Sequence, residues 1–152
     1  MPLAELKPYD LNILIKNSVE LFSVNDQLSI DFINDGQHEL IANIDKDQFC
    51  RVLYNLLKNA QQAIPADRKG LIIIQLIKTN QEIVISVNDN GNGIPDELKE
   101  KIFYPNFSTK TEGMGLGLAR AKNIIESFNG KIYFETQQSL GTTFFIKLPI
   151  IA

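Results

Sequence analysis

Three stretches of the 152-residue sequence carry residue types that could do chemistry together. In "STKTEGMGLGLARAK" (108–122), Gly113, Gly115 and Gly117 alternate just ahead of a helical pattern. Ser108, Thr109 and Lys110 precede them. Free N–H groups and the positive end of a helix can meet phosphate there, with Lys110 adding charge and the hydroxyls adding donors. The order is not that of a P-loop, where Lys follows the glycines, and G-x-G-x-G is not G-x-G-x-x-G. The second stretch, "VNDNGNGIP" (87–95), places Asp89 ahead of Gly91 and Gly93. A carboxylate pointing into a core needs donors, and an exocyclic amine would supply one. Glycines beside it would let a flat base approach the backbone. The third, "NLLKNAQQAI" (55–64), brings Asn55, Asn59 and Gln62 within an arc of roughly 60° on a helix. An amide oxygen is a neutral hard ligand, suited to Mg²⁺ that already carries phosphate oxygens and water. Each stretch alone also reads as something plainer: a flexible glycine-rich loop, a turn, exposed helix polars. Together they are far more specific, and five of the nine glycines fall between 91 and 117.

The elements that would hold these residues follow from periodicity. Asp10 is a fitting N-cap for a helix over 10–22, in which Leu11, Leu14, Ile15 and Val19 share a face. Alternation in "QLSIDFIND" and "HELIANID" around Gly36 suggests a hairpin. A long helix runs from 45 to 64, capped by Asp45 and ended by Pro65, with Phe49, Val52, Leu53, Leu56, Ala60, Ala63 and Ile64 as its apolar stripe. Strands follow at 70–78 and 82–89. In the latter, Ile83, Ile85 and Val87 share a face that Asp89 continues. Pro95 opens a short helix, 104–114 reads as a loop, and the helix of 116–129 stops at Gly130. The last strands are 131–138 and 141–149, turning at 139–141. With most strand connections read as hairpins, the expected fold class is α+β. It is a two-layer α/β sandwich with a mixed, mainly antiparallel sheet covered on one face by helices. This order does not suit a doubly wound Rossmann sheet.

Bulk properties narrow the classes. One domain over 1–152 is the simplest reading, with room for a core. The net charge of −3, with acids and bases interspersed, disfavours a nucleic-acid binder. A single cysteine, Cys50, excludes an internal disulfide and fits a reducing cytoplasm. Cys50 and the lone His38 make no metal cluster between them, and both read as structural. No apolar run reaches the ~18 residues of a membrane span, and no signal peptide is recognisable, so membrane contact is not expected. The opening Met-Pro, running into a helix without a leader, suits a piece cut from a longer protein.

Taken in order, these motifs resemble the ATP-binding catalytic domain of sensor histidine kinases, the family that shares its Bergerat fold with gyrase, HSP90 and MutL. "NLLKNAQQAI" resembles the N box, "DNGNGIP" the G1 box, "IFYPNFSTK" the F box and "GMGLGLA" the G2 box. "GTTFFIKLP" resembles the closing strand, and the likeness runs from about residue 8 to 150. "NAQQAI" with "PNFSTK" is most similar to the nitrogen-regulation class. The resemblance implies that Asn59 ligates Mg²⁺, with Asn55 and Gln62 in the same phosphate–metal region. It implies that Asp89 binds the adenine amine, that Gly91, Gly93 and Ile94 shape the base pocket, and that Thr142 lies beside it. Phe103 and Phe107 would anchor a lid, and Ser108, Thr109 and Lys110 would reach the phosphates. Gly113, Met114, Gly115, Leu116, Gly117 and Leu118 would form its far end, with the glycines as hinge and helix cap. Residues 104–114 would then be mobile without nucleotide.

The departures from the family pattern bear on the chemistry. Gln62 stands where many sensor kinases carry a Lys, so Lys110 or Lys58 would supply the cation. Asn106 stands where a Phe is common. Gyrase-type relatives carry a Glu as general base at the position of Asn55, and an amide cannot take a proton from water, so hydrolysis is disfavoured. His38, in a predicted surface strand, has no helix around it and is not a phosphoacceptor. The resemblance therefore implies half of a machine. It would bind ATP with Mg²⁺ and donate the γ-phosphate to a His on a separate helical dimerisation domain, upstream of a response regulator. The isolated chain would be a monomer without self-phosphorylation, from the cytoplasmic part of a larger, membrane-anchored or soluble kinase. The competing readings are an anti-sigma-type serine kinase of the same fold and a non-catalytic nucleotide-binding module.

Overall fold

The computed structural model describes residues 3–22, 26–34, 38–104 and 114–151, with backbone only for 114–116. Strand β1 (Lys7–Asp10) leads into helix α1 (Leu11–Leu21), followed by β2 (Leu28–Ile33), β3 (Ile41–Ile44) and α2 (Lys46–Ala63). Then come β4 (Gly70–Lys78), β5 (Glu82–Asp89), a single 3-10 turn (Asp96–Leu98), α3 (Met114–Ser127), β6 (Lys131–Gln137) and β7 (Gly141–Pro149).

Five strands form one sheet in the order β2-β4-β5-β7-β6, antiparallel except for the β2–β4 pair. Register builds its inner face. Phe32, Ile74, Val87, Phe144 and Phe134 lie side by side across all five strands. The helices pack on that face, and the stripe expected for α2 is buried there. Phe49, Val52, Leu53 and Leu56 are fully buried, Ala60 nearly so, and Ala63 and Ile64 half-buried. Leu11, Leu14 and Ile15 of α1 join the same core, with Val19 at its margin. The expected two-layer arrangement and mainly antiparallel sheet are therefore the observed ones.

Helix ends are chemically fixed. Asp10 accepts from the Asn12 N–H at 3.0 Å and starts α1, and Asp45 accepts from the Gln48 N–H at 3.1 Å and starts α2. At the end of α3, Gly130 N–H bonds to Ile125 O and Asn129 N–H to Glu126 O, a Schellman closure. The left-handed residue is Asn129 (φ 62°), not the expected Gly130. Gly130 is needed for space, because a Cβ there would lie 2.5 Å from the Lys147 carbonyl oxygen.

Three other expectations are corrected. Segments 27–35 and 38–45 do not pair as a hairpin. β2 joins β4 in parallel, while β3 pairs antiparallel with β1 in a separate two-stranded sheet. Only β4–β5 and β6–β7 of the strand pairs described are hairpins. Alternation specifies which face of a strand is buried but not its neighbour, and β1, a four-residue strand containing Pro8, carries too little pattern to announce itself. His38 is exposed, but it lies at a bend before β3 and not on a strand. The helix expected at Pro95 is a single 3-10 turn.

A candidate nucleotide site at the end of the sheet

Asp89 is the last residue of β5 and is 3% exposed. It continues the inner face of Ile83, Ile85 and Val87, as alternation requires. Its Oδ1 accepts from Gly91 N–H at 2.8 Å and from Thr142 N–H at 3.3 Å. Burial pushes the Asp89 carboxyl above the ordinary Asp range, and those two N–H groups pull it only partly back. Both bonds fall on one oxygen. The carboxylate is thus positioned by backbone while Oδ2 takes neither donor, a geometry suited to an incoming N–H.

The loop after Asp89 is fastened on three sides. Asn90 extends the β4 ladder, its Oδ1 accepting from Leu71 N–H and its Nδ2 donating to Lys69 O, while Arg68 Nη1 donates to Asn90 O. Asn92 N–H donates to Ala63 O at 3.0 Å, and Asn92 O accepts from Ser139 N–H at 2.7 Å. Gly91 and Gly93 have reasons beyond the approach of a flat ligand. A Cβ on Gly91 would lie 2.5 Å from Ala63 O, and Gly93 takes a left-handed φ of 78° against the Gln137 carbonyl. Ala63 is one turn beyond Asn59 on α2. The glycine loop therefore docks on the helix face that carries the amides.

Asn55, Asn59 and Gln62 are all half-buried, as expected at the border of the stripe. Asn55 Nδ2 reaches Gly117 O at 3.5 Å, the outer limit of a hydrogen bond, so α2 and α3 meet there. The Asn59 Nδ2 is buried with no partner among the described residues. An NH₂ donor left unpartnered at a costly position calls for an acceptor, such as a phosphate oxygen, which a ligand can bring. No cluster of three or more His, Cys, Asp or Glu exists among the described residues. A divalent ion would therefore depend on an amide oxygen and on phosphate oxygens brought with it, which is the donor set Mg²⁺ accepts.

Other expected residues fall as follows. Thr142, 3% exposed, lies directly beside Asp89. Ile94 is half-buried and donates its N–H to Thr136 Oγ1. Phe103 packs with Phe134 and Phe144 at centroid distances of 6.0 and 6.3 Å, which anchors the chain before the loop. Leu118 is a core residue, 6% exposed. Helix α3 begins at Met114, which puts Gly115 and Gly117 inside its first turns and not ahead of the cap. Phe107, Ser108, Thr109, Lys110 and Gly113 lie outside the described residues, as do the side chains of Met114 and Leu116 and nearly all of the loop expected to be mobile. Lys58 leans over the Tyr54 ring at 6.0 Å, and Tyr54 in turn meets Phe22, the residue that caps the end of α1. Thr136 and Asn90 were not singled out from the sequence. A polar residue at an inner-face position, two beyond Phe134, is the signal for the first.

Comparison with known proteins places the chain in a family. The family model for histidine kinase-, DNA gyrase B- and HSP90-like ATPases matches residues 44–152. Sensor histidine kinase ZraS of Escherichia coli (strain K12) is 39% identical over 149 residues, covering 95% of this chain and 31% of its own. The catalytic domain of histidine kinase ThkA superposes with a TM-score of 0.83 at 36% identity, over 95% of both chains. ThkA in complex with response regulator protein TrrA matches at 32% identity and TM-score 0.80, over 97% of this chain and 42% of the other. The chain spans about a third of the length of the curated relatives it matches. It belongs to the histidine kinase-, DNA gyrase B- and HSP90-like ATPase family, and within that family it is the catalytic domain of a sensor histidine kinase.

Proposed function

We propose that this domain binds ATP between α2, the end of β5 and the start of α3, and passes the γ-phosphate to a His on a helical dimerisation domain of the same parent protein. The observation that carries this reading is Asp89: a buried carboxylate held by two N–H groups on one oxygen. The other oxygen would accept from the adenine amine. Gly91, Gly93 and Ile94 shape the wall beside the base. Asn59 would hold Mg²⁺, which when bound neutralises charge on the phosphates. Asn55, at the contact with Gly117, supports that region from α2. Ser108, Thr109 and Lys110, with the N–H groups of 113–117, are assigned to the phosphates, and Phe103 and Phe107 to the anchoring of the lid.

Phosphoryl transfer asks a protein mainly for positioning and charge neutralisation. An imidazole is itself a good nucleophile, so the domain needs no strong base. Asn55 offers none, which favours transfer to a protein over hydrolysis. In this reading the receiver domain of a response regulator is the expected destination of the phosphate, the parent kinase works in the cytoplasm, and "NAQQAI" with "PNFSTK", most similar to the nitrogen-regulation class, supports a kinase of that kind.

The test mixes this domain, ATP with Mg²⁺ and the helical partner. Acid-labile phosphohistidine should appear on the partner, and Asn59→Ala should abolish it. An acid-stable phosphoprotein, or no transfer to a folded partner, would overturn the histidine kinase reading.

A further inference from the structure

Beside Asp89 lies a pair of hydroxyls whose protons can be assigned by counting. Thr142 and Thr136 are cross-strand partners on β7 and β6, and their Oγ1 atoms are 2.8 Å apart, with either able to donate. Thr136 Oγ1 has two further contacts. It accepts from Ile94 N–H at 2.9 Å, and it lies 3.2 Å from Gly141 O, a carbonyl that can only accept. A hydroxyl has one proton and two lone pairs. One arrangement meets all three contacts: the Thr136 proton goes to Gly141 O, one lone pair takes Ile94 N–H, and the other takes the Thr142 proton. Reversing the Thr136–Thr142 bond would leave the Gly141 contact without a proton.

Thr142 Oγ1 then has no proton to offer and presents only lone pairs, on a residue whose own N–H is bonded to Asp89 Oδ1. Resting on the reading that Asp89 meets a purine base, we infer that Thr136 is a positioning residue for base specificity. By taking the Thr142 proton, it turns Thr142 into a second acceptor beside the carboxylate. Two acceptors suit an exocyclic amine, which has two hydrogens. They repel a 6-oxo purine, whose oxygen is itself an acceptor. Thr136 is half-buried and is not placed in contact with the ligand; it acts through Thr142.

The test is calorimetric binding of ADP and of inosine diphosphate, each with Mg²⁺. Thr136→Val frees the Thr142 proton to donate, so the preference for ADP should fall about tenfold, the scale of one buried hydrogen bond changing sense. Thr136→Ser should restore it. In a Thr142→Val background, Thr136→Val should no longer change the ratio. Loss of the Ile94 anchor alone would weaken both nucleotides equally, so an unchanged ratio in Thr136→Val overturns the inference. If that variant does not fold, Thr142→Val alone decides. It must lower the ratio if Thr142 is an acceptor, and an unchanged or higher ratio refutes the proposal. Failure of the unmodified protein to bind ADP would instead overturn the nucleotide reading beneath it.

Discussion

Replacing Asp89 with Asn separates what the carboxylate does for the fold from what it does for a ligand. Asn retains an Oδ1, so the bonds from Gly91 N–H (2.8 Å) and Thr142 N–H (3.3 Å) persist. The second oxygen becomes an NH₂ donor, and the buried charge disappears. Hydrogen bonds to charged groups are worth about 1.5–3 kcal/mol, and here an acceptor is also exchanged for a donor facing an amine. ADP affinity should therefore fall by about 10- to 150-fold. Stability should move the other way. Burial holds the Asp89 carboxyl above its ordinary range, so the folded state binds this proton more tightly than the unfolded chain. The ionised form thus opposes folding at neutral pH, and Asp89→Asn should raise Tm there. As pH falls from neutral through the raised folded-state value, the unmodified protein should gain stability relative to the variant. Over the same interval it should lose ADP affinity, because a protonated Asp89 is a poorer acceptor. The variant should show neither trend. Calorimetric titration with ADP and thermal melting between neutral and mildly acidic pH measure both. An Asp89→Asn protein that melts lower yet binds ADP normally would refute the reasoning, marking Asp89 as a structural anchor only.

Three more substitutions probe how the site is held. Gly91→Ala places a Cβ 2.5 Å from Ala63 O and 2.7 Å from its carbonyl carbon, both backbone, and disturbs the 3.0 Å bond from Asn92. Overpacking plus one lost bond should cost about 2–4 kcal/mol in urea unfolding. Gly117→Ala brings a Cβ to 3.4 Å from the Asn55 side chain, an ordinary van der Waals contact. The helix should gain about 0.5–1 kcal/mol from Ala with no displacement of Asn55, so a Tm that rises while ADP affinity stays nearly unchanged is the expected pair. Asp45→Ala removes the cap on Gln48 N–H and the bond from Glu5 N–H at 2.9 Å, a loss of about 1–2 kcal/mol at neutral pH. Those N–H groups hold the Asp45 carboxyl below its ordinary range. The stabilisation is therefore present above the unfolded value and lost as pH falls through the folded one, and melting curves of variant and parent should converge in acid.

What could be read from the sequence was what burial on one face imprints on it. The 3.6-residue stripe of α2 and the alternation of β4, β5 and β7 gave positions close to those observed, and the inward direction of Asp89 followed from Ile83, Ile85 and Val87. Partnership between strands left no such imprint. The patterns of β2 and β3 suited a hairpin as well as two different sheets, and only the backbone bonds of each strand distinguish these. The glycines were legible as sites where a side chain is forbidden, but not for the reason found. Gly91 is excluded by Ala63, a residue distant in sequence, and the left-handed position after α3 fell to Asn129. Thr136 was hidden because its importance lies in a proton count that needs Thr142, Ile94 and Gly141 to be seen together.

The single parallel pair in the sheet has a consequence for how the chain folds. Leu28 of β2 lies opposite Gly70 of β4, and between them in sequence come β3 and the whole of α2. A hairpin such as β4–β5 closes over a few residues, whereas this pairing must wait for a long excursion to be completed. Until β2 arrives, one edge of β4 is bare, and that edge belongs to "GLIIIQLIK", an apolar, strand-prone run with its only formal charge at the last residue. β2 thus covers the edge of a segment with the composition to recruit another copy of itself. Variants that slow its docking should aggregate more on refolding, as light scattering measures, than variants that only weaken the finished fold.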